Sequence, residues 1–208
     1  MTTTHADGII RDVFHLVKLA LAFGRVERGV SHSDGKPETD TDHSVSLAWL
    51  ACSLAQLWYP GLDRGLIAQL AVVHDAPEVY AGDTYAVTAA EEEKKAKTER
   101  EHAAVKQITD ELKSLSWLPT MIMFYELQNS PEARFVRAVD KLMPKIVLRH
   151  EGKIGVRLGS HGVTTEIARA FRAREAAEMS QYAADFPEVL ALREELNTMI
   201  QLEDEMDA

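Results

Sequence analysis

Apolar residues in this sequence return at intervals of three and four, while the apolar-polar alternation of a half-buried strand is almost absent. The chain must therefore bury its core between helices. Ile10, Phe14, Val17 and Leu21 share one face of a first helix. Val105, Ile108, Leu112 and Leu115 stripe a later one, EEEKKAKTEREHAAVKQITDELKSL. Phe135, Val139, Leu142 and Ile146 stripe another, PEARFVRAVDKLMPKIVLRH, which Pro131 opens.

The segment Asp34 to Asp42, DGKPETDTD, is polar, carries Gly and Pro, and ends in residues suited to capping a helix that begins near His43. The following SVSLAWLACSLAQLW is apolar on most sides and predicts a central helix enclosed by others; it stops at Tyr59, Pro60 and Gly61. A third helix, from about Asp63, runs into His74 and Asp75, where Pro77 breaks it. Residues 82–90 read as a loop, residues 152–162 as a longer one, and helices over about 165–185 and 187–204 complete the chain. The expected fold is all-α, a single domain over residues 1–208 of about eight helices and no sheet. Its core spans about 10–150, with C-terminal helices at about 165–205 packing on it.

A length of 208 residues is enough for one well-buried core. The net charge of −10 disfavours nucleic acid polymers, whose phosphates demand clustered Lys and Arg, but leaves a small phosphorylated ligand open. No apolar run approaches the roughly 18 to 20 residues of a membrane span, and the N-terminus lacks a basic region followed by an apolar stretch. No membrane association is expected, and a cytoplasmic location is. Cys52 has no second cysteine to pair with and, among Leu50, Ala51 and Leu54, reads as a buried structural thiol.

Chemistry concentrates in the order His43, His74-Asp75, Asp140. Two imidazoles and two carboxylates on separate helices can form a partial shell around a divalent cation and leave positions open for water and substrate. Neighbouring residues on a helix point about 100° apart, so His74 and Asp75 converge on one ion most easily at a helix end. Glu78 follows them by four and three residues and falls on the same side if helical geometry persists, within reach of a proton-transfer role. A His-Asp dipeptide alone is common and weak evidence. His32, His102, His150 and His161 have no partner at a telling spacing and are left out of the site.

The segments ETDTDHS, HDAPEVYAGD and RFVRAVDKL, with Arg28, Glu38 and the run Lys97-x-x-Arg100-Glu101, closely resemble the HD-domain family that includes bacterial 5′-deoxynucleotidases. The resemblance covers roughly residues 10 to 150. It implies that His43, His74, Asp75 and Asp140 bind one divalent metal ion (Mn²⁺, Co²⁺ or Zn²⁺), that Glu78 is catalytic and that Asp83 lies beside the substrate sugar. It also implies that Arg28 grips the phosphate, a task for which a guanidinium is suited; Arg25 is a second candidate and Lys97 a third. A homodimer is implied as well. In the bacterial enzymes a tryptophan after the matching arginine helps define the sugar and base pocket; here Gly29 stands there.

The expected activity is hydrolysis of 2′-deoxynucleoside 5′-monophosphates to deoxynucleoside and phosphate. A deoxynucleoside triphosphate triphosphohydrolase using the same metal site is the alternative, which the Lys94, Lys95, Lys97 cluster would favour. A noncatalytic nucleotide-binding helical protein is the third reading.

Overall fold

The computed structural model describes residues 3–32, 34–152 and 162–206. In chain order the elements are α1 (Thr3–Phe23), β1 (Glu27–Ser31), β2 (Pro37–Thr39), α2 (Asp40–Trp58), α3 (Arg64–Val73), α4 (Glu78–Ala81), α5 (Glu91–Glu111) and α6 (Trp117–Leu127). They continue with α7 (Pro131–Asp140), α8 (Met143–Glu151), α9 (Thr165–Tyr182) and α10 (Pro187–Met206). The all-α reading holds. Ten helices among the described residues replace the eight expected, partly because the helix predicted over 131–150 breaks after Asp140 and restarts with Pro144 in its first turn.

The expectation of no sheet is corrected by a small antiparallel hairpin, β1 with β2. It occupies part of the stretch read as a polar loop and puts Arg28 on a strand. The helix expected to begin near His43 begins at Asp40. Thr39 accepts from the Asp42 backbone while the Asp42 carboxylate accepts from Thr39 N, a reciprocal cap.

Helices α2 and α3 form the centre, joined by a tight turn at Tyr59–Asp63, with α7 packed on both. Ala48, Ala51 and Ala55 on α2 present little bulk, which lets α3 approach with Ile67, Leu70 and Ala71 fully buried. Phe135, Tyr59 and Phe186 close the core edge-on, with ring centroids 5.1–5.4 Å apart; such pairs add about 0.5–1.5 kcal/mol each beyond burial. Helix α2 is the central helix expected, but one face stays open, with Trp49 75% exposed and Leu57 68%. Cys52 is only half-buried, its Sγ donating to Arg64 O at 3.5 Å.

A second cluster joins Leu19 of α1, Val73 of α3, Ile108 and Leu112 of α5, and Leu118 and Ile122 of α6. Helix α1 is further pinned by Asp12, fully buried, which accepts from the Ser114 backbone at 2.6 Å. Its stripe of Ile10, Phe14, Val17 and Leu21 points away from this core, and Phe14 is 71% exposed.

The C-terminal helices dock through Met179, Phe186 and Val189 in the main core. They are also tied to α8 by a buried ionic triad, in which Glu175 Oε2 accepts from Lys145 at 2.6 Å and from Arg193 at 2.9 Å. Of the loop read over residues 152–162, residues 153–161 lie outside the described residues, His161 among them.

Candidate metal centre

His43 comes from the first turn of α2, His74 and Asp75 from the end of α3, and Asp140 from the end of α7. Pro77 prevents α3 from continuing, so α3 gives way to turns in which Ala76 N bonds Val73 O and Glu78 N bonds Asp75 O. Those turns let adjacent residues His74 and Asp75 face one point.

The four side chains converge there. His43 Nε2 lies 3.0 Å from Asp140 Oδ1 and 3.9 Å from Asp75 Oδ2, while His74 Nε2 lies 3.0 Å from Asp75 Oδ2 and 3.8 Å from Asp140 Oδ1. Donor atoms about 2.1 Å from a shared ion would sit about 3.0 Å apart at a right angle and about 3.4 Å apart tetrahedrally; the two 3.0 Å separations match such a shell and the other two are wider. His74 Nδ1 donates to Ala71 O at 2.9 Å, which orients the ring with Nε2 toward the carboxylates, and Nε2 is buried without a hydrogen bond. Burial opposes a charge on His74, yet Asp75 and Asp140 outweigh it and raise the ring to about 10. The cluster is an electronegative seat for a cation, and its residues fit a divalent metal.

Around this seat, burial and the Asp75 carboxylate push Glu78 up to about 8, against the pull of Lys97, whose Nζ donates to Glu78 Oε1 at 2.9 Å. Lys97 is therefore part of the site and not of a solvated helix face. Arg28 Nη1 donates to Asp75 Oδ2 at 2.6 Å and to Asp40 Oδ1 at 2.9 Å, with Glu38 3.6 Å from its Nε. Its burial is outweighed by Asp75, Asp140, Glu78 and Asp40, which hold the guanidinium firmly charged. Asp83 accepts from Gly29 N at 3.2 Å. Arg25, the second phosphate candidate, is exposed in the turn after α1 and does not line the cavity.

A cavity of about 310 Å³ opens beside the cluster, reaching Arg28, Asp75, Glu78, Asp83, Lys97 and Asp140. Sequence reasoning missed several residues around the site. Asp40, fully buried and raised to about 6 by burial and by Asp75, anchors Arg28. Lys141 pairs with Asp140 Oδ2 at 2.7 Å. Tyr85 lies against Gly29 so closely that a Cβ there would meet its Cδ2 at 2.3 Å. An aromatic wall thus comes from the 82–90 loop and lies against Gly29.

No curated protein matches the chain significantly. Among solved structures, a predicted metal-dependent phosphohydrolase from Magnetospirillum magnetotacticum MS-1 superposes with a TM-score of 0.71 at 23% identity, covering 92% of this chain and 97% of that one, and so shares its fold. The HD domain family matches residues 25–182, a span that holds all four converging side chains, and the chain therefore belongs to the HD-domain family.

Proposed function

We propose that this protein is a metal-dependent phosphohydrolase that converts 2′-deoxynucleoside 5′-monophosphates to deoxynucleoside and phosphate. The observation that carries the reading is the convergence of two histidines and two aspartates at the edge of a cavity that also holds a raised carboxyl group, Glu78, and the cations Arg28 and Lys97. A divalent ion, Mn²⁺, Co²⁺ or Zn²⁺, held by His43, His74, Asp75 and Asp140 supplies Lewis acidity toward a phosphoryl oxygen and acidifies water. Glu78, tuned toward neutrality, handles the proton. Arg28 and Lys97 offset charge on the phosphoryl oxygens, and Asp83, fixed by Gly29 N, faces the sugar. The deoxy preference rests on the motif resemblance.

The monophosphate reading is favoured by size and charge. The cavity is at the low end of the roughly 300–1,000 Å³ of ligand pockets, and of Lys94, Lys95 and Lys97 only Lys97 lines it. The test is a panel of deoxynucleoside and ribonucleoside mono- and triphosphates with Mn²⁺ or Co²⁺, products resolved by chromatography. Deoxynucleoside and free phosphate from monophosphates are expected; triphosphate release would move the protein to the triphosphohydrolase class, and no turnover would refute the reading.

We also propose that the protein is a homodimer, with the outward stripe of α1 as the apolar surface available to a second copy. Light scattering should give twice the chain mass, and the monomer mass for Phe14→Glu; a monomeric parent protein refutes it.

A further inference from the structure

The cavity is longer than a phosphate and a metal require. Beyond Asp140 its walls come from Pro144 and Leu148 of α8, Phe171 of α9 and Ile200 of α10, all apolar. A phosphoryl group gains nothing from hydrocarbon, so this part takes a different portion of the substrate. Among these apolar residues stands one neutral polar side chain, Asn197, which is 7% exposed, lines the cavity and makes no hydrogen bond to another described residue. Its amide borders the cavity, where a ligand can pair with it.

The charged groups nearby are already spoken for. Lys145 is bound to Glu175 at 2.6 Å, Lys141 to Asp140 at 2.7 Å, and Arg172 is engaged too. The uncharged groups that line this part are an amide that offers a donor and an acceptor side by side, and the rings of Phe171 and Tyr85. A flat heterocycle with adjacent donor and acceptor atoms matches that set, whereas an alkyl chain would leave the amide unpaired.

Resting on the nucleotide reading above, we propose that the C-terminal helices supply a nucleobase subsite in which Asn197 reads the base edge and Phe171 and Tyr85 contact the ring faces, making the enzyme selective among bases. The experiment measures kcat/KM of the metal-loaded protein for the four deoxynucleoside 5′-monophosphates, deoxyribose 5-phosphate, an alkyl phosphate and p-nitrophenyl phosphate. It is repeated for Asn197→Leu and for Asn197→Asp, which keeps the size and removes the donor. Thermal unfolding of each variant establishes that it folds.

The parent protein should prefer one base by roughly 5- to 150-fold over the poorest, the range that one good two-point amide-base contact provides. Asn197→Leu should collapse that ratio toward one, and Asn197→Asp should move the preference toward guanine, whose N1–H and N2–H are adjacent donors. Equal turnover of all four nucleotides, or a base ratio untouched by both variants, overturns the subsite while leaving the nucleotidase reading intact. Turnover of p-nitrophenyl phosphate or the alkyl phosphate with none of the nucleotides overturns both.

Discussion

Replacing Gly29 with alanine adds one methyl group at the point where the hairpin meets Tyr85. The new carbon would sit 2.3 Å from Cδ2, 2.9 Å from Cε2 and 3.1 Å from Cγ of that ring, whereas carbons in good contact are about 3.5–4.0 Å apart. Because Cγ itself is crowded, the ring cannot escape by swinging its hydroxyl end, and the 82–90 loop must shift. Overpacking of this kind costs about 1–3 kcal/mol, and in a chain of this size each kcal/mol lowers Tm by about 2–4 °C. A drop of about 2–12 °C is expected by differential scanning fluorimetry, with a raised KM because Tyr85 lines the cavity. The clash needs both partners, so the double variant Gly29→Ala/Tyr85→Ala should lose less than the sum of its single losses. An unchanged Tm in Gly29→Ala, or strict additivity in the cycle, would refute the contact.

Metal-free protein given Mn²⁺ at 100 times its Kd should gain about 2.7 kcal/mol, or about 5–11 °C in Tm, and Asp75→Asn should abolish the gain; a full shift in that variant removes Asp75 from the ligand set. Glu78→Gln should lower kcat about 10²- to 10⁴-fold with metal content by elemental analysis unchanged, and a kcat within about threefold of the parent would contradict its proton-transfer role. Arg193→Met leaves Glu175 buried with Lys145 alone. Breaking such a network costs about 3–5 kcal/mol, measured by urea unfolding, and a loss under about 1 kcal/mol would show the triad to be energetically idle.

The helices were readable because their stripes are chemically plain: Ile108 and Leu112 on α5, and Phe135 and Val139 on α7, are buried as their spacing requires. Helix α6 escaped notice because WLPTMIMFYEL is apolar nearly all round and shows no period. The hairpin was hidden by its length, since five and three residues are too few for alternation to declare itself. The break between α7 and α8 was concealed by a stripe that runs unbroken from Val139 through Leu142 to Ile146; Pro144 was the signal for it. For the site, adjacent His74 and Asp75 before a proline are distinctive at short range. Asp40 looked like a capping acid beside Asp42, and Lys141 like any surface lysine. The role of Asp40 depends on Arg28 arriving from the hairpin, and that of Lys141 on the cavity to which its neighbour Asp140 is brought by the fold. The outward turn of the α1 stripe and the cavity walls on α9 and α10 are likewise tertiary facts that no local pattern encodes.

The single turn α4 carries Glu78 but little packing of its own. It is braced from α5, where Lys97 holds the carboxylate and Arg100 holds Ala81 O at 3.1 Å and the Thr84 hydroxyl at 3.0 Å. Yet α5 is mostly exposed and is anchored near its far end by Ala104 and Ile108. The half of α5 that steadies Glu78 is thus the half with the least to lose by fraying. On warming, the brace on Glu78 should loosen before the core around the histidines, so turnover should fall below Tm; activity and fold lost together would refute this. Thermal loss of activity would then track the braces Lys97 and Arg100 and not the apolar centre between α2, α3 and α7.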